Sequence, residues 1–111
     1  MSAGGFSLNV ASVGGVVTGA HVLRGIHVGN ANAAVRYLLL WDQVGAAATG
    51  ETSPLYQFTI PAAGQFVIDD GFFGPSGLAF TSGIAWGVST VRGTKDALAT
   101  AADHDVALAF V

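Results

Sequence analysis

The chain has 111 residues, of which 51% are hydrophobic and only 10% charged, with a formal net charge of −3 and no cysteine. That length suits one domain with a modest core, and the charge content falls well short of the roughly 25% usual in soluble domains. A small domain has much surface for its volume and normally fills it with charge. Either the chain lies in a membrane, or other subunits cover much of its surface.

The membrane reading fails on pattern. A spanning helix needs about 20 mostly apolar residues in a row, and the best apolar run, YLLLW, is short and flanked by Arg36 and Asp42. A porin-like barrel needs more strands than this length holds, unless the chain oligomerises. The first basic residue is Arg24, so no secretory signal is expected and synthesis is expected in the cytoplasm. The lack of cysteine excludes disulfides and thiolate metal sites. Arg24, Arg36, Arg92 and Lys95 are scattered and form no basic stripe, which argues against a nucleic-acid partner. Burial between subunits remains, so the expected state is a homo-oligomer.

The elements read as strands: β-branched and aromatic runs broken by Gly, Pro, Asn and Asp. Short strands are expected at 6–10 and 13–18, both weakened by glycine. Residues 1–15 are rich in small residues and lack charge, and read as a flexible arm preceding a domain over 16–111. A firmer strand covers 20–28, and GNANA is a turn, because Asn and Gly tolerate left-handed backbone angles. The strongest strand is 34–42. Val35, Tyr37, Leu39 and Trp41 share one face, and Arg36, Leu38 and Leu40 the other. Both faces are substantially apolar, which predicts a central strand covered on both sides. A helix competes there because YLLLWDQV is not β-branched; the flanking turns favour the strand.

A loop, GAAATGETSP, follows. Strands at 55–60 and 65–69 alternate cleanly and are joined by PAAG, predicting a hairpin. DGFFGPSG is a loop with two aromatics, Phe72 and Phe73. LAFTS and IAWGVSTV read as two adjacent strand segments bent at Gly83, with Trp86 in the core or at a subunit seam and the core preferred. RGTKDALATAADHD is a polar loop with room for one helical turn, and 106–111 is a closing strand. About eight short strands at regular spacing predict an all-β fold: one antiparallel β-sandwich or jelly-roll-like barrel.

Chemistry is sparse. His21 and His27 lie six apart on one strand. They are expected to share a face about 20 Å apart, too far to ligate one metal. Asp103 and Asp105 could join Asp96 in a cation site, although oxygen-ligand sites show denser acids; solvated loop acids are the preferred reading. Asp69 and Asp70 point to opposite faces as neighbours on a strand and do not cooperate as acid and base. GPSG lacks the strand-to-helix turn of a nucleophile elbow, and no glycine-rich phosphate loop joins a strand to a helix. No positioned nucleophile, base, metal cluster or cofactor motif is found, so no enzymatic role is expected.

Four stretches occur in order over most of the chain: LRGIHVGNANAAVRYLLLWD, PLYQFTIPAAGQFVID, GLAFTSGIAWGVST and DVALAFV. In this order they resemble a group of small virion proteins of tailed bacteriophages; the first fifteen or so residues fall outside the match. The resemblance implies a β-sandwich on the virion, and most specifically a capsid decoration (cement) protein. Such a protein commonly forms trimers on the shell surface and clamps the major capsid protein. Phe6, Phe72, Phe73 and Trp86 are then the candidate subunit or shell contacts. Two other readings stay open: a neck, tail or fibre-base module, and a carbohydrate-binding sandwich using Trp41, Trp86, Phe72 and Phe73 as a platform.

Overall fold

Alternating apolar positions and β-branched runs become ten strands in a computed structural model that describes residues 5–6, 10–11, 14–68, 72–73, 76–96, 99 and 103–111. The strands are β1 (Gly5–Phe6), β2 (Val10–Ala11), β3 (Gly14–Thr18), β4 (His21–Asn30), β5 (Arg36–Asp42), β6 (Tyr56–Ile60), β7 (Gly64–Ile68), β8 (Leu78–Phe80), β9 (Gly83–Ser89) and β10 (His104–Phe110). They form two antiparallel sheets, so the expected all-β sandwich is what the chain adopts. In sheet A, β10 and β4 pair at the centre; β1 and β2 flank β10, and β7 and β8 flank β4. Sheet B runs β3-β9-β5-β6.

One core fills the space between the sheets. Sheet A contributes Leu23, Ile26, Val28, Ile68, Phe80, Val106 and Leu108, and sheet B contributes Leu38, Leu40, Ile60, Ile84, Trp86 and Val88. A second, smaller cluster lies on the far side of sheet B, where Leu39, Trp41 and Ala85 pack with Val16, Tyr37 and Ala47. Strand β5 is therefore covered on both faces, as its two apolar rows predicted. The cover on the far side is a strap made of residues 43–55 and 90–96. Its halves are joined by a Thr52–Thr94 bridge, by Gly50 N–H donating to Lys95 O (2.6 Å) and by Lys95 N–H donating to Glu51 O (2.9 Å). Trp41 Nε1 donates to Thr52 O at 3.0 Å and ties the strap to the strand beneath.

Trp86 is the largest fully buried side chain. It pairs with Gly15 on β3 and Leu40 on β5. The indole lies over Gly15 so closely that a Cβ there would sit 2.9 Å from Cζ2. Glycine is required at that spot because the space is occupied by a ring that cannot swing away.

Two expected strand pairs are corrected. Strands β6 and β7 do not form a hairpin: β6 pairs with β5 in sheet B and β7 with β4 in sheet A. The chain crosses between the sheets at 61–63, a corner tied down by the preceding turn. Asn30 Nδ2 donates to Pro61 O (3.0 Å), and Ala63 N–H donates to Asn32 O (2.7 Å). Likewise β8 pairs with β4 while β9 pairs with β3 and β5, so LAFTS and IAWGVST lie in opposite sheets.

The second crossing, at 81–83, is organised by Asp42 at the end of β5. One carboxylate oxygen accepts from Thr81 N–H (2.9 Å) and Thr81 Oγ1–H (3.0 Å), the other from Ser82 N–H (2.8 Å) and Gly83 N–H (3.3 Å). The Thr81 and Ser82 backbone donors hold the Asp42 carboxyl at about 2, below its ordinary 3.8. A carboxylate whose folded pKa is depressed stabilises fully above its unfolded value, and the contribution fades as pH falls through the folded one. Acid unfolding followed by circular dichroism will therefore show a loss of stability between about pH 4 and 2. In Asp42→Asn that part of the pH dependence will be missing, and the variant will be the less stable protein at neutral pH.

A bulge in β4 corrects the histidine geometry. Ala109 faces Gly25 while Phe110 faces Leu23, so the register passes over Arg24. An extra residue reverses the side-chain alternation beyond it, so Leu23 and Ile26 both enter the core although three apart. His21 consequently lies on the core side of its strand, edge-on to Phe110 with ring centroids 4.8 Å apart. His27 lies on the outer face.

Within the span read as a flexible arm, Gly5–Phe6 and Val10–Ala11 pair with β10 of the same chain, and β3 begins at Gly14. Asp69 and Asp70 lie outside the described residues, as do residues 97, 98 and 100–102 of the segment given one helical turn.

Candidate functional site

The four candidate contacts fall in different environments. Phe72 is 72% exposed. Phe73 is half-buried beneath it, with the two rings edge-to-face at 5.5 Å. From Phe73 the aromatic run continues inward to Phe58 (6.3 Å) and on to Phe66 (5.3 Å). Phe58 is on β6 and Phe66 on β7, the free edges of the two sheets. The aromatics thus plug the open side of the sandwich and end in an exposed ring at the loop tip. The Phe6 backbone pairs with Ala109, and its side chain lies outside the described residues.

Trp86 does not belong with these surface candidates. It is 1% exposed within the core, on the same face of β9 as Ile84 and Val88. Trp41 is also buried, beneath the strap. Neither indole offers the exposed face that a sugar platform needs, which leaves Phe72 and Phe73 of the four aromatics named for that role.

The two sheets differ in what covers their outer faces. Sheet B lies under the strap. On sheet A, Gln65, Val67, Ala79 and Ala109 are exposed, and His27, Gly29, Asp105 and Ala107 are half-buried. No apolar cluster forms on that side among the described residues. Gly29, Ala79, Ala107 and Ala109 there are small, while His27 and Gln65 are long side chains joined by a hydrogen bond.

One end of this face is hollowed into an open groove of about 530 Å³, lined by His27, Gly29, Gln65, Asp103 and Asp105 among others. Three strands meet there. Gly29 on β4 sits between Gln65 on β7 and Asp105 on β10. A Cβ on Gly29 would fall onto the Asp105 carboxylate, so the bare glycine lets that side chain lie down over the sheet. His27 Nε2 donates to Gln65 Oε1 at 2.7 Å. Asp103 Oδ2 accepts from Asn32 Nδ2 at 3.1 Å, anchoring the loop before β10 to the turn after β4.

Sequence reading named Asp103 and Asp105 only as partners for Asp96. Asp96 instead binds Thr90, through the backbone N–H (3.2 Å) and the hydroxyl. Among the described residues, no group of three or more His, Cys, Asp or Glu side chains is placed to hold a metal ion. Gln65 and Gly29 were missed, because each acquires its place only when three strands distant in sequence are set side by side.

No family model, curated protein or solved structure matches this chain.

Proposed function

We propose that this chain is a structural protein of a tailed-phage virion, acting as a capsid decoration protein that binds the assembled head shell. The observation that carries this reading is a mismatch between surface and charge. Only 10% of the residues are charged, yet Val44, Leu55, Val67 and Phe72 are each at least half exposed, and among the described residues no apolar cluster covers the outer face of sheet A. Such a surface favours contact with other protein. The ordered likeness of four sequence stretches to small virion proteins supplies the kind of partner. The mechanism is mass action: a protein that binds the assembled shell and not its separated subunits stabilises the assembly.

Co-sedimentation with shells assembled from a tailed-phage major capsid protein tests this directly. The expected result is saturable pelleting with shells and none with unassembled capsid protein, and light scattering of the free protein showing a homo-oligomer, most simply a trimer. A stable monomer that ignores shells overturns the reading. Phe72→Asp will weaken shell binding or self-association while changing stability by no more than about 0.5 kcal/mol, since the ring is exposed. Unaltered binding by that variant removes the aromatic tip from the contact.

A further inference from the structure

We propose that copies of this chain associate through the β6–β7 side of the sandwich, strand edge to strand edge. A sheet edge presents a row of unpaired backbone N–H and C=O groups, and natural proteins blunt it with short strands, charge, proline or bulges. The opposite side of this sandwich is blunted. Sheet A ends there in β1 and β2, of two residues each. In sheet B the Lys95 side chain lies over the start of β3, its Cε 3.4 Å from where a Cβ on Gly14 would stand. The β6–β7 side has no such device within its strands. Each strand is five residues long, and their ladders to β5 and β4 run without a register shift. Proline flanks β6 at 54 and 61 and enters neither strand, and residues 55–68 hold no Asp, Glu, Lys or Arg. Among the described residues, no strand pairs with the outer margin of β6 or β7.

Shape and charge together select a second copy as the partner. The side offers two margins, one from each sheet, with Phe58, Phe66 and Phe73 packed between them. Stacked sheets lie about 10 Å apart, so a partner must bring two margins at that spacing, and it must bring no charge that the contact would strand. The same side of another copy meets both conditions. Two chains of net charge −3 can meet over 55–68 without opposing like charges. A partner recognised by charge finds no ionised side chain within that span to pair with. In a trimer each β6 edge meets the β7 edge of the next copy, a head-to-tail contact of the kind that closes into a ring.

The proposal rests on the homo-oligomer of the reading above and names its surface, and the two can fail separately. The test is sedimentation velocity with amide hydrogen exchange on the full chain over a dilution series. The expected result is an oligomer whose β6 and β7 amides exchange faster on dilution, while those of the central β4–β10 ladder do not. Thr59→Lys on β6 and Val67→Lys on β7 alter exposed side chains, and each will weaken association about tenfold or more by setting a charge against the uncharged seam. Val44→Lys, on the strap and 68% exposed, will leave association unchanged. A parent that is monomeric throughout, edge variants that keep the parent's mass, or an equal loss in Val44→Lys overturns it. So does protection of the β6 and β7 amides that appears only when shells are added, which would give this side to the capsid protein. The dilution series uses the parent alone, so the test survives a misfolded variant. A monomeric parent that pellets with shells rejects the edge and keeps decoration. An edge-paired oligomer that ignores shells keeps the edge and rejects decoration.

Discussion

Trp86→Ala will cost about 3–5 kcal/mol of folding stability and lower the melting temperature by well over about 10 °C. The side chain is 1% exposed at the centre of sheet B, between Gly15 on β3 and Leu40 on β5. Nothing can collapse into the vacated space, because its walls are strands held by ladders on both sides. In a domain with total stability of about 5–15 kcal/mol the loss is a large share. Trp86→Phe will be much milder. It shortens the ring but also removes a buried indole N–H that has no hydrogen-bond partner among the described residues, a group that is itself costly to bury. Gly15→Ala supplies the cross-check. Its new Cβ meets Cζ2 at 2.9 Å, and overpacking of this kind costs about 1–3 kcal/mol. In the Trp86→Ala background the same change will cost far less, and a double-mutant cycle will read the coupling. A melting temperature for Trp86→Ala within a degree or two of the parent would show that the ring is not core.

Except across the bulge in β4, the facing of the strands was legible in the sequence, and the partnering was not. Ile84, Trp86 and Val88 alternate with Ala85, Gly87 and Ser89; the larger set faces the main core, and the smaller set is buried on the other side of the sheet. That inference needs only the two-residue period. Whether β7 returns beside β6 or crosses to the other sheet leaves the period untouched, since Phe58 and Phe66 point into the same core either way. The choice is made by contacts at the corners: Asn30 and Asn32 on 61–63, and Asp42 on 81–83. Asp42 lies 39 residues before Thr81, and nothing local marks the carboxylate for that role. The bulge at Arg24 was hidden for a related reason. The register shift is defined only against β10, at the other end of the chain. The groove inherits both obstacles, because its residues meet only after β4, β7 and β10 are in register.

Leu39→Ala will cost about 2–5 kcal/mol, although Leu39 lies on the side of sheet B that faces away from the main core. In a two-layer sandwich an outward leucine is normally half wet and its truncation cheap. Here it is fully buried with Trp41 and Ala85 beneath residues 43–55 and 90–96. The expected cost depends on the strap being packed down, so the variant measures the strap. Trp41 provides the local signal, since the chain has only two tryptophans and Trp86→Phe leaves Trp41 as the sole indole. In that background, adding Leu39→Ala will red-shift Trp41 emission as water reaches the ring. It will also speed exchange of the Gly50 and Lys95 amide protons, which bond across the two halves of the strap, more than those of the central β4–β10 ladder. A cost under about 1 kcal/mol with unmoved emission would mean that the strap does not bury Leu39 in solution. The outer face of sheet B would then be as open to partners as that of sheet A.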